Sequence, residues 1–163
     1  MNVIGIDPSL MRTGWAYVAG TGATHYWLLG SCRGDDYEAM RAVLWEAAAF
    51  GVTHAAIEDV YLGRNFRTAA TLAEVRGGIK AACAAAGIEV RDVAAMTWKA
   101  GMLTMNGRLP QGRKEQKAAA VTVARACGAN PRNSDEADAV CIADYARRAW
   151  TAEARAIARR PKP

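Results

Sequence analysis

Val3-Ile4-Gly5-Ile6-Asp7-Pro8-Ser9-Leu10-Met11-Arg12-Thr13-Gly14-Trp15-Ala16-Tyr17-Val18, residues 3–18, ends a β-prone apolar run on an acid and stops it with a proline. A buried strand that finishes on a carboxylate needs a reason. The pleat sets Val3, Gly5 and Asp7 on one face, and the missing side chain at Gly5 predicts room beside the acid for a phosphate or a metal. The competing reading makes Asp7 a cap for the turn through Ser9. Beyond the proline, Thr13 to Val18 reads as a second strand and His25 to Gly30 as a third, joined through Gly20-Thr21-Gly22 in an antiparallel meander.

Farther along, Asp35 to Phe50 has helical spacing, with Met40, Val43, Leu44 and Ala47 on one face and Gly51 as its stop. Thr53 to Glu58 is a fourth strand, Asn65 to Ala86 a long alanine-rich helix and Ile88 to Arg91 a short fifth strand. A short helix is expected near Thr97, a loop from Gly101 to Gly112, and a helix from Arg113 to Cys127. Ser134 is placed to cap a last helix running to about Ala149. The expected fold is therefore α/β, a mixed five-stranded sheet with helices on both faces. One domain is expected over 1–150, with a basic, flexible tail over 151–163. Asp7 and Glu58 both fall at carboxyl ends of strands, where ligands gather in such sheets.

The acids carry the chemistry. Glu58 shares its face with Ala56, again a small residue behind a carboxylate. In Ser134-Asp135-Glu136-Ala137-Asp138-Ala139-Val140-Cys141-Ile142, helical spacing puts Asp135 and Asp138 on one face. Asp135 and Glu136 suit a first helical turn, whose dipole favours acids. Asp138 instead lines up with the apolar stripe of Cys141, Ile142 and Tyr145, where an unpartnered charge costs several kcal/mol or takes up a proton. Asp144, one turn before Arg148, reads as a solvated ion pair outside the site. Four acids with no suitably placed histidine or cysteine suit Mg2+ or Mn2+ rather than zinc. Two such ions about 4 Å apart activate water and stabilise the leaving oxygen of a phosphodiester.

At 163 residues and a formal charge of +5, the chain can bury a real core and leans toward a polyanionic partner. Its four cysteines are scattered without metal-ligand or disulfide spacing and read as reduced core thiols. With neither a signal-like start nor an 18-residue apolar run, a soluble cytoplasmic protein with no membrane partner is expected.

Taken in order, the motifs resemble the RuvC-type Holliday junction resolvases of the RNase H-like superfamily. The matching pieces are Gly5-Ile6-Asp7-Pro8 with Thr13-Gly14, then Ile57-Glu58 followed by Val60-Tyr61 and Arg64-Asn65, then Arg76-Gly77, Lys114 to Gln116, and Asn130-Pro131 leading into Asp135-x-x-Asp138-Ala139. They run from Val3 to about Ala146. Ser9 and Leu10 depart from the family pattern, which has glycine and a small polar residue there. The third carboxylate position is a histidine in some relatives, and Glu136 is an alternative ligand to Asp135.

The resemblance implies an RNase H-like fold and an Mg2+-dependent endodeoxyribonuclease with two ions per active site, Mn2+ able to substitute. Asp7, Glu58, Asp135 and Asp138 would be the metal-binding catalytic carboxylates. It further implies a homodimer packed through the long helix, nicking opposite strands of four-way junction DNA to leave 5′-phosphate and 3′-hydroxyl ends. A branch-migration motor is a further partner the sequence leaves open. Lys114 corresponds to the family's active-site lysine, which holds the scissile phosphate, with Arg113 and Lys117 flanking it. Lys99 and Arg76 are further phosphate contacts. In the loop after Glu58, Tyr61 occupies the place of an aromatic that stacks at the junction centre, worth roughly 1–3 kcal/mol per base, and Arg64 supplies charge beside it. Phe66 is expected in the dimer seam.

Other readings stay open. A nuclease of the same superfamily with broader specificity for flaps, other branched DNA or RNA would use the same acids. A non-catalytic junction-binding module has no use for Asp138 on an apolar face. An actin-like ATPase would need a second glycine-rich phosphate hairpin, which this sequence does not show.

Overall fold

The structure is a computed structural model describing residues 2–21, 24–59 and 66–159. Strands β1 (Val3–Asp7), β2 (Thr13–Thr21) and β3 (Thr24–Cys32) precede helix α1 (Tyr37–Ala49), strand β4 (His54–Glu58) and helix α2 (Phe66–Ala85). Strand β5 (Glu89–Val93) and helices α3 (Ala95–Leu103), α4 (Arg113–Ala126) and α5 (Ser134–Ala158) complete the chain. The sheet order is β3-β2-β1-β4-β5, with β1, β4 and β5 paired in parallel and β2 paired antiparallel with both β1 and β3.

Alternation along the strands divides the core in two. Ile4, Ile6, Tyr17, Ala55 and Ile57 face α1 and α2 with Leu44, Val75 and Ile79. Val3, Ala16 and Ala56 face the other way, toward α3, α4 and α5 with Trp98, Leu103, Val140 and Ile142. The second face is floored by small residues, and this is what lets α5 lie close. A Cβ on Gly5 would collide with the backbone of Ala139 and Ala143, and one on Gly14 with the carbonyl of Asp135. The space at Gly5 is thus filled by α5, not left for a phosphate or metal.

Several element boundaries differ from the sequence reading. β2 and β3 run on to the Thr21–Thr24 pair, so Gly20 and Thr21, expected in the turn, are strand residues. β5 runs on to Val93 because its parallel ladder with β4 continues to the Glu58–Val93 pair. α3 extends to Leu103, burying Trp98 and Leu103. α5 continues to Ala158 because Trp150 packs against His54 and under the Arg91 guanidinium, while Arg91 also reaches Glu153 at 3.3 Å. Residues 151–158, expected in a flexible tail, are therefore part of α5. Asn133, not Ser134, caps α5, its Oδ1 accepting from the backbone N–H groups of Asp135 and Glu136 at 3.0 Å each. All four cysteines are free, Cys83 and Cys141 buried.

Candidate active site

Asp7 and Glu58 end adjacent parallel strands, one residue past the Ile6–Ile57 pair. Pro8 follows Asp7, and the turn beyond it is closed by Thr13, whose Oγ1 accepts from the Ser9 N–H at 3.1 Å and donates to the Ser9 carbonyl at 2.9 Å. Asp7 is thereby free of the capping duty the sequence allowed it. α5, seated on Gly5 and Gly14, brings Asp135 and Asp138 over the same strand ends. The result is a cleft of about 460 Å3 lined by Asp7, Glu58, Asp135, Asp138, Lys99, Arg113 and Lys117, with Ser9, Leu10, Met11, Thr68, Leu72 and Gln116 on its walls.

The charges in this cleft act on one another. Burial first, then the carboxylates of Glu58, Asp138 and Asp135, hold the Asp7 carboxyl well above the usual range, with Lys117 opposing. Burial also pushes Asp138 up to about 7, against the pull of Lys117 and Lys99. Two carboxylates already have partners. Glu58 Oε2 accepts from the Trp98 indole N–H at 2.8 Å, and Lys117 Nζ donates to Asp135 Oδ1 at 3.1 Å and to Ser134 Oγ at 2.7 Å.

Among the described residues, no three His, Cys, Asp or Glu side chains are gathered closely enough to grip an ion as they stand. The donor set nevertheless suits a hard divalent cation: it is all oxygen, and its crowded negative charge adds to the burial that raises Asp7 and Asp138. A bound cation would relieve that repulsion, as Lys117 does in part.

Other anticipated residues stand elsewhere. Lys114 is exposed and does not line the cleft, whereas Lys117, one turn deeper along α4, does. Arg76 is spent on ion pairs to Asp59 at 3.0 Å and Asp92 at 2.7 Å, clamping α2 to the ends of β4 and β5. Glu136 is fully buried away from the cleft. It accepts from the Arg132 backbone N–H at 2.8 Å and its guanidinium at 2.9 Å, and from Ser31 at 3.4 Å. It serves the start of α5 and does not line the cleft. Asp144, expected in solvent, is 2 % exposed and held by Arg147 and Arg148. Tyr61 and Arg64 lie outside the described residues. Trp98 was not anticipated, because its partner lies 40 residues away and no local pattern announces it.

A mixed sheet with acids at its central strand ends, met by acids from a helix laid across it, defines an RNase H-like fold with a carboxylate-lined cleft. The family model described as crossover junction endodeoxyribonuclease RuvC matches residues 3–144. The chain belongs to this family. It is 32% identical over 152 residues to the crossover junction endodeoxyribonuclease RuvC of Nitratidesulfovibrio vulgaris, covering 88% of each chain. With that of Anaeromyxobacter sp. it shares 34% identity over 167 residues, covering 94% of this chain and 85% of the other. The fold matches Thermus thermophilus RuvC in complex with Holliday junction substrate, with a TM-score of 0.70 and 23% identity over 94% of this chain and 96% of that one. Nucleases of this family depend in general on divalent metal ions.

Proposed function

We propose that the protein resolves four-way DNA junctions by cutting paired phosphodiesters with a carboxylate-bound metal centre. The observation that carries this reading is the meeting of Asp7, Glu58, Asp135 and Asp138 in one cleft with Lys99 and Lys117. These carboxylates would hold two Mg2+ ions, with Mn2+ able to replace them. When bound, the ions supply Lewis-acid charge and lower the pKa of water, making a nucleophile at neutral pH.

The chain's own cations position the substrate. Lys117 and Lys99 reach the cleft and hold the non-bridging oxygens of the scissile phosphate, offsetting the charge that develops there. Arg113 at the cleft wall and Lys114 outside it take neighbouring phosphates, which fix register without reading sequence. Attack by water on phosphorus breaks the bond to the 3′ oxygen, leaving a 5′-phosphate and a 3′-hydroxyl. Tyr61 and Arg64 keep their proposed place at the junction centre.

A homodimer through α2 supplies the second site needed to nick the opposite strand. Phe66 at the start of α2 is 83 % exposed, and a Cβ on Gly77 would meet nothing within 4 Å, so this face is free to receive a second copy. A branch-migration motor that brings the crossover to the cleft is a compatible partner, and a cytoplasmic location accords with the DNA substrate. No helix among the described residues is long and apolar enough to cross a membrane.

The test uses 5′-labelled four-way junction, matched duplex, flap and single strand, each in Mg2+ and in EDTA, with Asp7→Asn and Asp138→Asn alongside. Symmetric nicks confined to the junction, abolished by EDTA and in both variants while binding persists, are expected. Equal cutting of flaps would leave the carboxylate chemistry and remove the junction preference. Tight binding without cleavage in Mg2+ or Mn2+ would make the chain a binding module.

A further inference from the structure

Among the described residues Trp98 is the largest fully buried side chain, at 0 % exposure, and its indole N–H is aimed at Glu58 in the wall of the active-site cleft. There it donates to Oε2 of Glu58 at 2.8 Å. The other side of the same device is Lys99, which lines the cleft and carries its Nζ 5.3 Å from the centre of the Trp98 ring. One rigid residue of α3 therefore touches both a carboxylate and a cation of the site.

We propose that Trp98 is a positioning residue that fixes Glu58 for cation binding through its indole N–H and steadies Lys99 with its ring. The inference rests on the reading of Glu58 as a metal ligand. Three physical points carry it. A glutamate at a strand end has several rotamers, and ordering it at the moment of binding costs entropy that a preformed hydrogen bond removes beforehand. Packing of the ring among Leu103, Val140 and Ile142 prevents the donor from following a wandering carboxylate, so the carboxylate must come to it. Finally, an indole is a neutral donor with no acceptor and no titration near neutral pH, so it occupies one oxygen without competing with a cation by charge. Lys117 on Asp135 is the opposite case, since its ammonium opposes any cation that approaches the same oxygen.

Outer partners of this kind set metal affinity by about 10- to 100-fold when removed. Trp98→Phe keeps a ring under Lys99 and deletes the donor. A second variant carrying 3-benzothienylalanine at position 98 keeps the full indole shape with sulfur in place of N–H, so a packing defect in the phenylalanine variant cannot decide the result. The measurement is Mn2+ binding to the metal-free full-length protein by calorimetry and electron paramagnetic resonance. Alongside it, the 15N-labelled indole resonance of Trp98, assigned by its loss in Trp98→Phe, is followed as Mg2+ is added.

Expected are a shift of that resonance on Mg2+ addition, Mn2+ affinity about 10- to 100-fold weaker in both variants, and a lower kcat for junction cleavage with KM unchanged. Substitution by 7-azatryptophan, which keeps the N–H, should restore wild-type affinity. Equal Mn2+ affinity in the wild type and the sulfur isostere, with the indole resonance unmoved by Mg2+, would overturn the role of Trp98 alone and leave the metal centre standing. A wild-type protein that binds neither ion would overturn the metal reading and this inference with it.

Discussion

The carbonyl of Ala139 in α5 occupies the space where any side chain on Gly5 of β1 would stand. That contact sets the height of α5 above the sheet, and with it the distance of Asp135 and Asp138 from Asp7 and Glu58. Gly5 thus acts on the site through packing, not through an opening for ligand.

Gly5→Ala should therefore impair stability and cleavage together. The clash is with helix backbone, which cannot rotate aside, so the loss should reach or exceed the roughly 1–3 kcal/mol typical of overpacking. Urea denaturation measures the first effect. A cleavage rate that survives at wild-type level in the folded fraction would show that α5 height is not critical.

The proton affinity of Asp138 makes a signed prediction. A carboxyl raised to about 7 in the native state binds its proton more tightly folded than unfolded, so its contribution to stability is complete at low pH and is lost as pH rises to about 7. Metal-free Asp138→Asn should match the wild type in Tm near about pH 4 and exceed it near about pH 8, by about 2–4 °C for each kcal/mol of repulsion removed. Mg2+ at the higher pH should close that gap by raising the wild type more than the variant, because the ion takes the place of the proton. A constant Tm difference across this range would contradict the assignment.

Lys117 and Lys114 should separate in kinetics. Lys117→Met removes an ammonium held against Asp135 inside the cleft and should lower kcat by about 100-fold, with junction affinity little changed. Lys114→Met should weaken junction binding and reduce its salt slope by about 1, with kcat retained. The reverse pattern would return the catalytic assignment to Lys114.

Arg76→Gln should cost about 1 kcal/mol or somewhat more, since its pairs with Asp59 and Asp92 are half-exposed while its own side chain is only 12 % exposed. Junction affinity and its salt slope should stay as in the wild type. A slope reduced by about 1 would mean that Arg76 leaves its pairs to contact phosphate.

Much of this was legible in the chain itself. Val3-Ile4-Gly5-Ile6-Asp7-Pro8 announces a strand ending on an acid, because alternation, β-branching and proline act within a few residues. The helical repeat that sets Asp135 beside Asp138 is equally local. What only the tertiary structure decided depends on partners far apart in sequence. Lys114 and Lys117 share a helix face, and only the approach of α4 to the start of α5 determines which one reaches the acids. Glu136 and Asp135 are neighbours about 100° apart around the helix axis; the first is drawn into the core by Arg132 and Ser31, the second opens to the cleft. Arg76 meets Asp92 and Trp98 meets Glu58 only where β4 and β5 are paired and α3 is packed against α4 and α5. Local sequence sets the direction of a side chain relative to its own helix or strand; which charge it then faces is fixed by how those elements pack.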